Sequence, residues 1–263
     1  MFDPILKIIE IAESTQDEAR KLALSGSPAG TSIVAIVQTE GRGRCGSKWF
    51  SPPGKNLAMS VILRPKLGPR DAPILGMLFS IAVADIVDKL CDPFRTSVKW
   101  PNDVLVQDKK IAGILSEGQI TNGCVDFVVL GLGLNLNSLE DDFPSNLSES
   151  LTSCSILTGL KFNLREVGMS ILMRLRELTG RFEIEGAGFV PRLWQRRWLH
   201  KDHRICRDGV EGTAIGVDDD GALLVETPDG RRVKISSGEV CLQRPCPAKK
   251  VFNKDLVQRK ILM

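Results

Sequence analysis

Residues 38–54 read Gln38-Thr-Glu-Gly-Arg-Gly-Arg-Cys-Gly-Ser-Lys-Trp-Phe-Ser-Pro-Pro-Gly54, a segment with four glycines, the cations Arg42, Arg44 and Lys48, and a Trp-Phe pair. Glycines at alternate positions let backbone N–H groups approach an anion closely, and the two arginines add fork-shaped, charge-assisted donors. The same composition also fits an ordinary flexible basic loop. The flanks say where it sits. Thr31 to Thr39 is rich in β-branched residues and reads as a strand entering the loop, and Asn56 to Arg64 reads as a strand leaving it.

Two nucleotide-binding motifs are excluded. Gly41 and Gly46 have the glycine spacing of a Walker A loop, but Ser47-Lys48 reverses the required Lys-Ser order. That loop must also open a helix whose N-terminus faces the phosphates, and Pro52, Pro53 and Gly54 prevent one. Gly131-Leu-Gly-Leu-Asn-Leu-Asn137 follows a strand like a dinucleotide fingerprint. It lacks the third glycine, and the loop-like Ser138-Leu-Glu-Asp-Asp-Phe-Pro144 stands where a helix should open.

The remaining chain supplies a frame. Asp3 to Ser25 has a helical pattern, with Thr15-Gln-Asp-Glu18 as a capping box and Gly26 as its stop. Pro73 to Leu90 predicts a largely buried helix, and Leu164 to Ile184 and Phe189 to Leu199 predict two more. Short strands are expected at 97–99 and 104–106, then from Lys109 to Glu117 and from Asp126 to Gly133. Beyond His203, short alternating segments broken by glycines and by the turns Asp218 to Gly221 and Pro228 to Gly230 predict a small β-domain. Residues 1–200, 201–245 and 246–263 are thus expected to be a main domain, a small β-domain and a polar tail.

Composition narrows the function. A net charge of +3 in 263 residues does not make a nucleic-acid-binding domain, and nucleic-acid partners are not expected. No apolar run approaches the roughly 20 residues that cross a bilayer, and the N-terminus lacks a basic signal-peptide region. A cytoplasmic protein without membrane partners is expected. Seven scattered cysteines without C-x-x-C spacing predict reduced thiols. His200 and His203 are the only histidines, with no further ligands at metal-site spacing, so no metal-ligating residues are assigned. Tyrosine is absent. Chemistry in this chain must depend on cations and positioning more than on acid–base side chains.

Four further segments join the opening loop. Lys99-Trp-Pro-Asn-Asp103 gathers a lysine, an amide and a carboxylate, although a packed Trp100 and an Asx turn would explain it equally. Lys110-Ile-Ala-Gly-Ile-Leu115 holds a small Ala-Gly pair against which a flat ligand could lie, or which serves close strand packing. With Gly131 to Asn137 and Glu13-Ser-Thr-Gln16, these motifs resemble, in order and spacing, the biotin protein ligases, the biotin–[acetyl-CoA-carboxylase] ligases. The resemblance runs over residues 5–243 and ends in Ser237-Gly-Glu-Val240.

This resemblance implies an α+β protein: a mixed β-sheet core flanked by helices, class II synthetase-like, with a C-terminal SH3-like barrel. It implies a ligase that joins biotin to ATP as biotinyl-5′-AMP with Mg2+, then transfers biotin to a lysine of a carboxylase's biotin carboxyl carrier domain. Ser14, Thr15 and Gln38 would bind the biotin head group. Arg42, Gly43 and Arg44 would close over biotin and phosphate. Lys99 would act at the carboxylate and α-phosphate, with Arg44 and Asp103 also catalytic, and Asn102 would organise the nucleotide region. Gly113 and Leu115 would form the biotin floor, and Asn135 would meet the triphosphate or its metal. Two departures are Gln16, where the family has Asn, and Ser47, where some members have Arg. Too few residues precede Ser14 for a DNA-binding domain, so no repressor activity is expected, and a monomer or homodimer is. Lipoate ligases are the alternative, but their Gly-Gly-Gly loop and nearby histidine are absent here.

Overall fold

The computed structural model describes residues 2–242 except Asp208 and Glu239, so the tail expected at 246–263 lies outside the described residues. Strands β2 (Thr31–Gln38) and β3 (Leu57–Leu63) flank the Gly/Arg loop, as the β-branched runs predict. β3 is buried throughout, because one face meets helix α1 (Thr15–Leu24) and the other the main core.

The N-terminal segment differs from the expected single helix. Ile5–Ala12 is strand β1, paired in parallel with β2 from Ile5↔Thr31 to Ala12↔Gln38. Its isoleucines satisfy a helical period as well as a strand, and pairing with β2 decides between them. The cap also moves by one residue. Ser14 is the N-cap, accepting from the Gln16 N–H at 3.3 Å, while Glu18 pairs with Lys21 instead of reaching back.

Helix α2 (Pro73–Leu90) follows the apolar pattern closely and is buried from Ile74 to Ala84. It lies between the sheet and helices α4 (Leu164–Glu185) and α5 (Phe189–Gln195). Four antiparallel strands complete the sheet: β4 (Thr96–Lys99), β5 (Asp103–Val106), β6 (Lys109–Thr121) and β7 (Cys124–Leu134). The sheet order is β1-β2-β3-β7-β6-β5-β4, mixed because only β1 and β2 run parallel. β6 continues four residues past the expected end at Glu117, to a turn in which Asn122 and Gly123 take positive φ of 51° and 79°. That is the hairpin turn suited to the right-handed twist of the strands. Helix α3 (Cys154–Thr158) is a short connector.

Helix α5 ends four residues before the expected Leu199. The chain straightens there and bonds to β4: the Val98 N–H donates to Arg197 O at 2.8 Å and the Leu199 N–H to Val98 O at 3.1 Å. Arg197 is held by Asp85 and Asp88 of α2 at 2.6 and 2.5 Å. A second, antiparallel sheet follows, built from β8 (Arg204–Arg207), β9 (Val210–Val217), β10 (Leu223–Glu226), β11 (Arg232–Ile235) and β12 (Cys241–Leu242), in the order β11-β10-β9-β8-β12. The five cysteines of described side chain, Cys45, Cys91, Cys124, Cys154 and Cys206, are free thiols. No helix among the described residues is long and apolar enough to cross a membrane.

The two sheets meet at Trp100, whose Nε1–H donates to Gly221 O at 3.0 Å, and at His200, which packs edge-on against His203 with ring centres 5.4 Å apart. Burial, with smaller contributions from His203 and Lys99, lowers the His200 pKa to about 4. Below its unfolded value near 6.5 the unfolded chain therefore binds the proton more readily than the folded one. Stability should fall as pH drops from about 6.5 to 4. Urea unfolding of His200→Gln should show a smaller loss of midpoint across that window than the wild type; equal slopes would remove His200 as the cause.

Candidate active site

The cleft floor is made by β6 and β7. Gly113 stands opposite Gly133, and Leu115 opposite Gly131, on the face turned away from α2. Three of those four positions lack a Cβ, so the sheet face is flat enough for a ring or chain to lie against backbone. The intervening Ala112, Ile114, Leu132 and Leu134 point the other way into the core.

One end of the cleft is polar and nearly neutral. Ser14 and Thr15, at the start of α1, are 3% and 4% exposed, and Gln38 ends β2 beside them. The Gln38 Oε1 accepts from the Thr15 N–H at 2.9 Å and lies 3.2 Å from Thr15 Oγ1. Gln16 is 3% exposed; its Nε2 donates to Val129 O at 3.1 Å and its Oε1 accepts from Ser60 at 3.0 Å.

The rest of the lining is cationic, with Arg42, Arg44, Lys48 and Lys110. The Gly/Arg loop folds as a small hairpin: the Gly43 N–H donates to Ser47 O at 2.7 Å and the Trp49 N–H to Gly41 O at 2.8 Å. Arg42 reaches Asp17 of α1 at 2.6 Å, and Arg44 Nη1 donates to Gly238 O, in the connection between β11 and β12, at 3.3 Å. Trp49 turns inward over Gly133, with its indole Nε1–H buried and unpartnered.

Lys110 supplies the cation over the floor. Its Nζ lies 2.7 Å from Asp103 Oδ1 and 5.6 Å from the centre of the Trp49 ring. The register explains its position: Val104↔Ala112 is followed by Leu105↔Lys110, so Ile111 is an extra residue on β6. This bulge puts Lys110 on the cleft face beside Gly113, whereas strict alternation would send it with Ala112 into the core.

Of the residues selected from sequence, Ser14, Thr15, Gln38, Arg42, Gly43, Arg44, Asn102, Asp103, Gly113 and Leu115 line the cleft. Lys99 and Asn135 do not. Lys99 belongs to β4, two strands from β6 and hence roughly 10 Å away. It borders a small space between the sheets with Trp198 and His200. Asn135 is 2% exposed and its amide is used internally, Nδ2 donating to Thr152 O at 3.1 Å and Oδ1 accepting from Asn56 at 3.4 Å. Asn102 braces the floor, its Nδ2 donating to Ile114 O at 2.5 Å and its carbonyl accepting from the Ile114 N–H at 3.0 Å. The sequence-based selection missed Lys110, Trp49, Ser60 and Gln16. Lys110 stood inside a quoted motif, and only the bulge reveals its direction.

The mixed sheet thus carries a flat glycine floor lined by hydrogen-bonding groups and by cations, which suits a ligand with a polar head and an anionic group. A family model for the biotin/lipoate A/B protein ligases matches residues 8–135, and one for the biotin protein ligase C-terminal domain matches residues 204–242. The chain is 34% identical to a biotin–[acetyl-CoA-carboxylase] ligase of Paracoccus denitrificans, over 87% of this chain and 96% of that one. It is 35% identical to a bifunctional ligase/repressor of Bacillus spizizenii, over 88% of this chain and 72% of the relative. The Aquifex aeolicus biotin protein ligase in complex with biotin and ATP superimposes with a TM-score of 0.77 at 28% identity, covering 92% of this chain and all of that one. The chain belongs to the biotin protein ligase family.

Seating of Trp49 on Gly133 is testable. A Cβ at residue 133 would stand 2.1 Å from the indole, so Gly133→Ala should displace it. The other tryptophans are 0 to 8% exposed, so increased acrylamide quenching would report Trp49. Unchanged quenching would mean that the indole does not need this seat.

Proposed function

We propose that this chain activates biotin with ATP, forming biotinyl-5′-AMP and pyrophosphate, and then biotinylates a lysine of a biotin carboxyl carrier domain. The single observation that carries the reading is the polarity of the cleft: neutral hydrogen-bonding groups at the start of α1, Lys110 beside Gly113 on β6, the two loop arginines along the lining, and a flat floor between. A ureido head group suits the neutral groups, and a carboxylate meeting a phosphate suits the cations.

In the first step a carboxylate oxygen attacks the α-phosphorus and the bond to pyrophosphate breaks. In the second the lysine amine attacks the acyl carbon, losing a proton, and AMP leaves. Neither step requires an enzyme nucleophile. Positioning and electrostatic stabilisation supply the rate, through Lys110 near the carboxylate and α-phosphate and through Arg42 and Arg44 on the phosphates. Asp103 holds Lys110 in place and stands where an incoming ammonium group would be drawn. Mg2+ would accompany ATP and offset the charge that builds on its phosphates. Among the described residues no three His, Cys, Asp or Glu side chains cluster as a metal site, and the internally bonded Asn135 does not fit a ligand role. Lipoate fits less well, because its dithiolane offers neither N–H nor C=O to Ser14, Thr15 and Gln38. The reading places the work in the cytoplasm, beside the carboxylase.

Incubation with biotin, ATP, Mg2+ and a carrier domain should add one biotinyl group by mass spectrometry; modification with lipoate but not biotin would overturn the assignment. Lys110→Ala should slow biotin-dependent pyrophosphate release by about 100-fold or more. Lys99→Ala should leave it within a few-fold of wild type, and the reverse ranking would refute the role given to Lys110.

A further inference from the structure

The hydrogens at the polar end of the cleft can be assigned one by one. Gln16 Nε2 donates to Val129 O at 3.1 Å, which fixes Oε1 toward Ser60, and Ser60 donates its one hydroxyl hydrogen to it at 3.0 Å. Gln38 Oε1 is likewise fixed by the Thr15 N–H. Thr15 Oγ1 lies 3.2 Å from that Oε1 and 2.9 Å from Ser60 Oγ. With the Ser60 hydrogen committed to Gln16, the Thr15 hydrogen goes to one of these two protein acceptors. Thr15 therefore presents only lone pairs to the cleft. Ser14 is the opposite: its oxygen accepts from the Gln16 N–H, and no acceptor among the described residues takes its hydrogen. Adjacent side chains thus offer an acceptor and a donor, the complement of an N–H beside a C=O.

We propose that Gln16 and Ser60 are positioning residues that set this polarity through Thr15 and so select a cyclic urea over isosteres lacking the N–H. The inference rests on the biotin reading above. Gly131 makes room for it, since a Cβ there would stand 2.5 Å from Gln16 Oε1. Without the Gln16 acceptor, the Ser60 hydrogen can turn to Thr15 Oγ1 and occupy the lone pair that would otherwise accept a ligand N–H, while the Thr15 hydrogen stays with Gln38. The added length of glutamine in this chain is therefore a functional part of the site.

The test uses the full chain, ATP and a carrier domain, with biotin and its two carbamate analogues in which one ring N–H is replaced by oxygen. The wild type should reject at least one analogue by about 100-fold or more in kcat/KM, because a site built around an N–H leaves a buried group unpaired when it is missing. Gln16→Met keeps the volume and removes the acceptor. Its discrimination should fall to about 10-fold or less, with the lost kcat/KM for biotin carried by the KM for biotin. Wild-type acceptance of both analogues within three-fold overturns the proposal without any variant. Unchanged discrimination in Gln16→Met overturns it as well, as does a uniform fall in kcat with all three acids. Failure of the wild type to use biotin at all is a separate result, which overturns the ligase reading and the inference with it.

Discussion

The facing of Gly113 and Gly133 across β6 and β7 is the constraint on which the site depends. Side chains at these positions would rise from the sheet into the space that the cleft occupies, and the Trp49 indole could not settle on the Gly133 backbone. Glycine in a strand interior costs about 0.5–1 kcal/mol of stability relative to alanine. Here the loss is offset on the opposite face, where Ala112, Ile114, Leu132 and Leu134 pack into the core around α2. One pair of strands is therefore a stability element on one side and an open binding surface on the other. The alternation of the β-strand separates the two tasks residue by residue.

On that floor the cations already have partners. Lys110 is held by Asp103, Arg42 by Asp17, and Arg44 by the Gly238 carbonyl. These are part-exposed contacts, of the kind that contribute at most about 1 kcal/mol. Exchanging a carbonyl or a solvated carboxylate for a phosphate oxygen is inexpensive, and charge-assisted bonds to phosphate are the stronger ones. The arrangement keeps the guanidinium groups near the cleft without burying an uncompensated charge. Trp49 closes the same group of contacts, covering Lys110 on one side and Gly133 on the other.

Much of this was legible in the chain. Runs of β-branched residues predicted β2 and β3, and the apolar stretch after Pro73 predicted α2, because in each case local propensity and burial agree. Ten of the twelve selected site residues line one cleft because the motifs lie at strand ends and turns that converge there. The misses share a physical origin in pairing that is not local. β1 is a strand because β2 lies beside it, although its isoleucines also satisfy a helical period. Lys110 faces the cleft because of one extra residue on β6, a parity change that alternation cannot anticipate. Lys99 has the composition of a site residue but belongs to a strand too far from the floor. Asn135 is polar because it links Thr152 and Asn56 inside the protein.

The same distinction assigns Lys99-Trp-Pro-Asn-Asp103 two tasks divided at its proline. Before the turn, Trp100 donates into the second sheet at Gly221, and Lys99 faces His200 across the space between the sheets. After it, Asn102 braces the floor at Ile114, and Asp103 holds Lys110. A displacement of the second sheet would act on Trp100 and reach Asp103 three residues later, while Arg44 would feel it through Gly238. Both routes end on cations of the cleft. The small C-terminal sheet is therefore tied by hydrogen bonds to both the Gly/Arg loop and the turn that positions Lys110, so its placement bears directly on the charge distribution of the site.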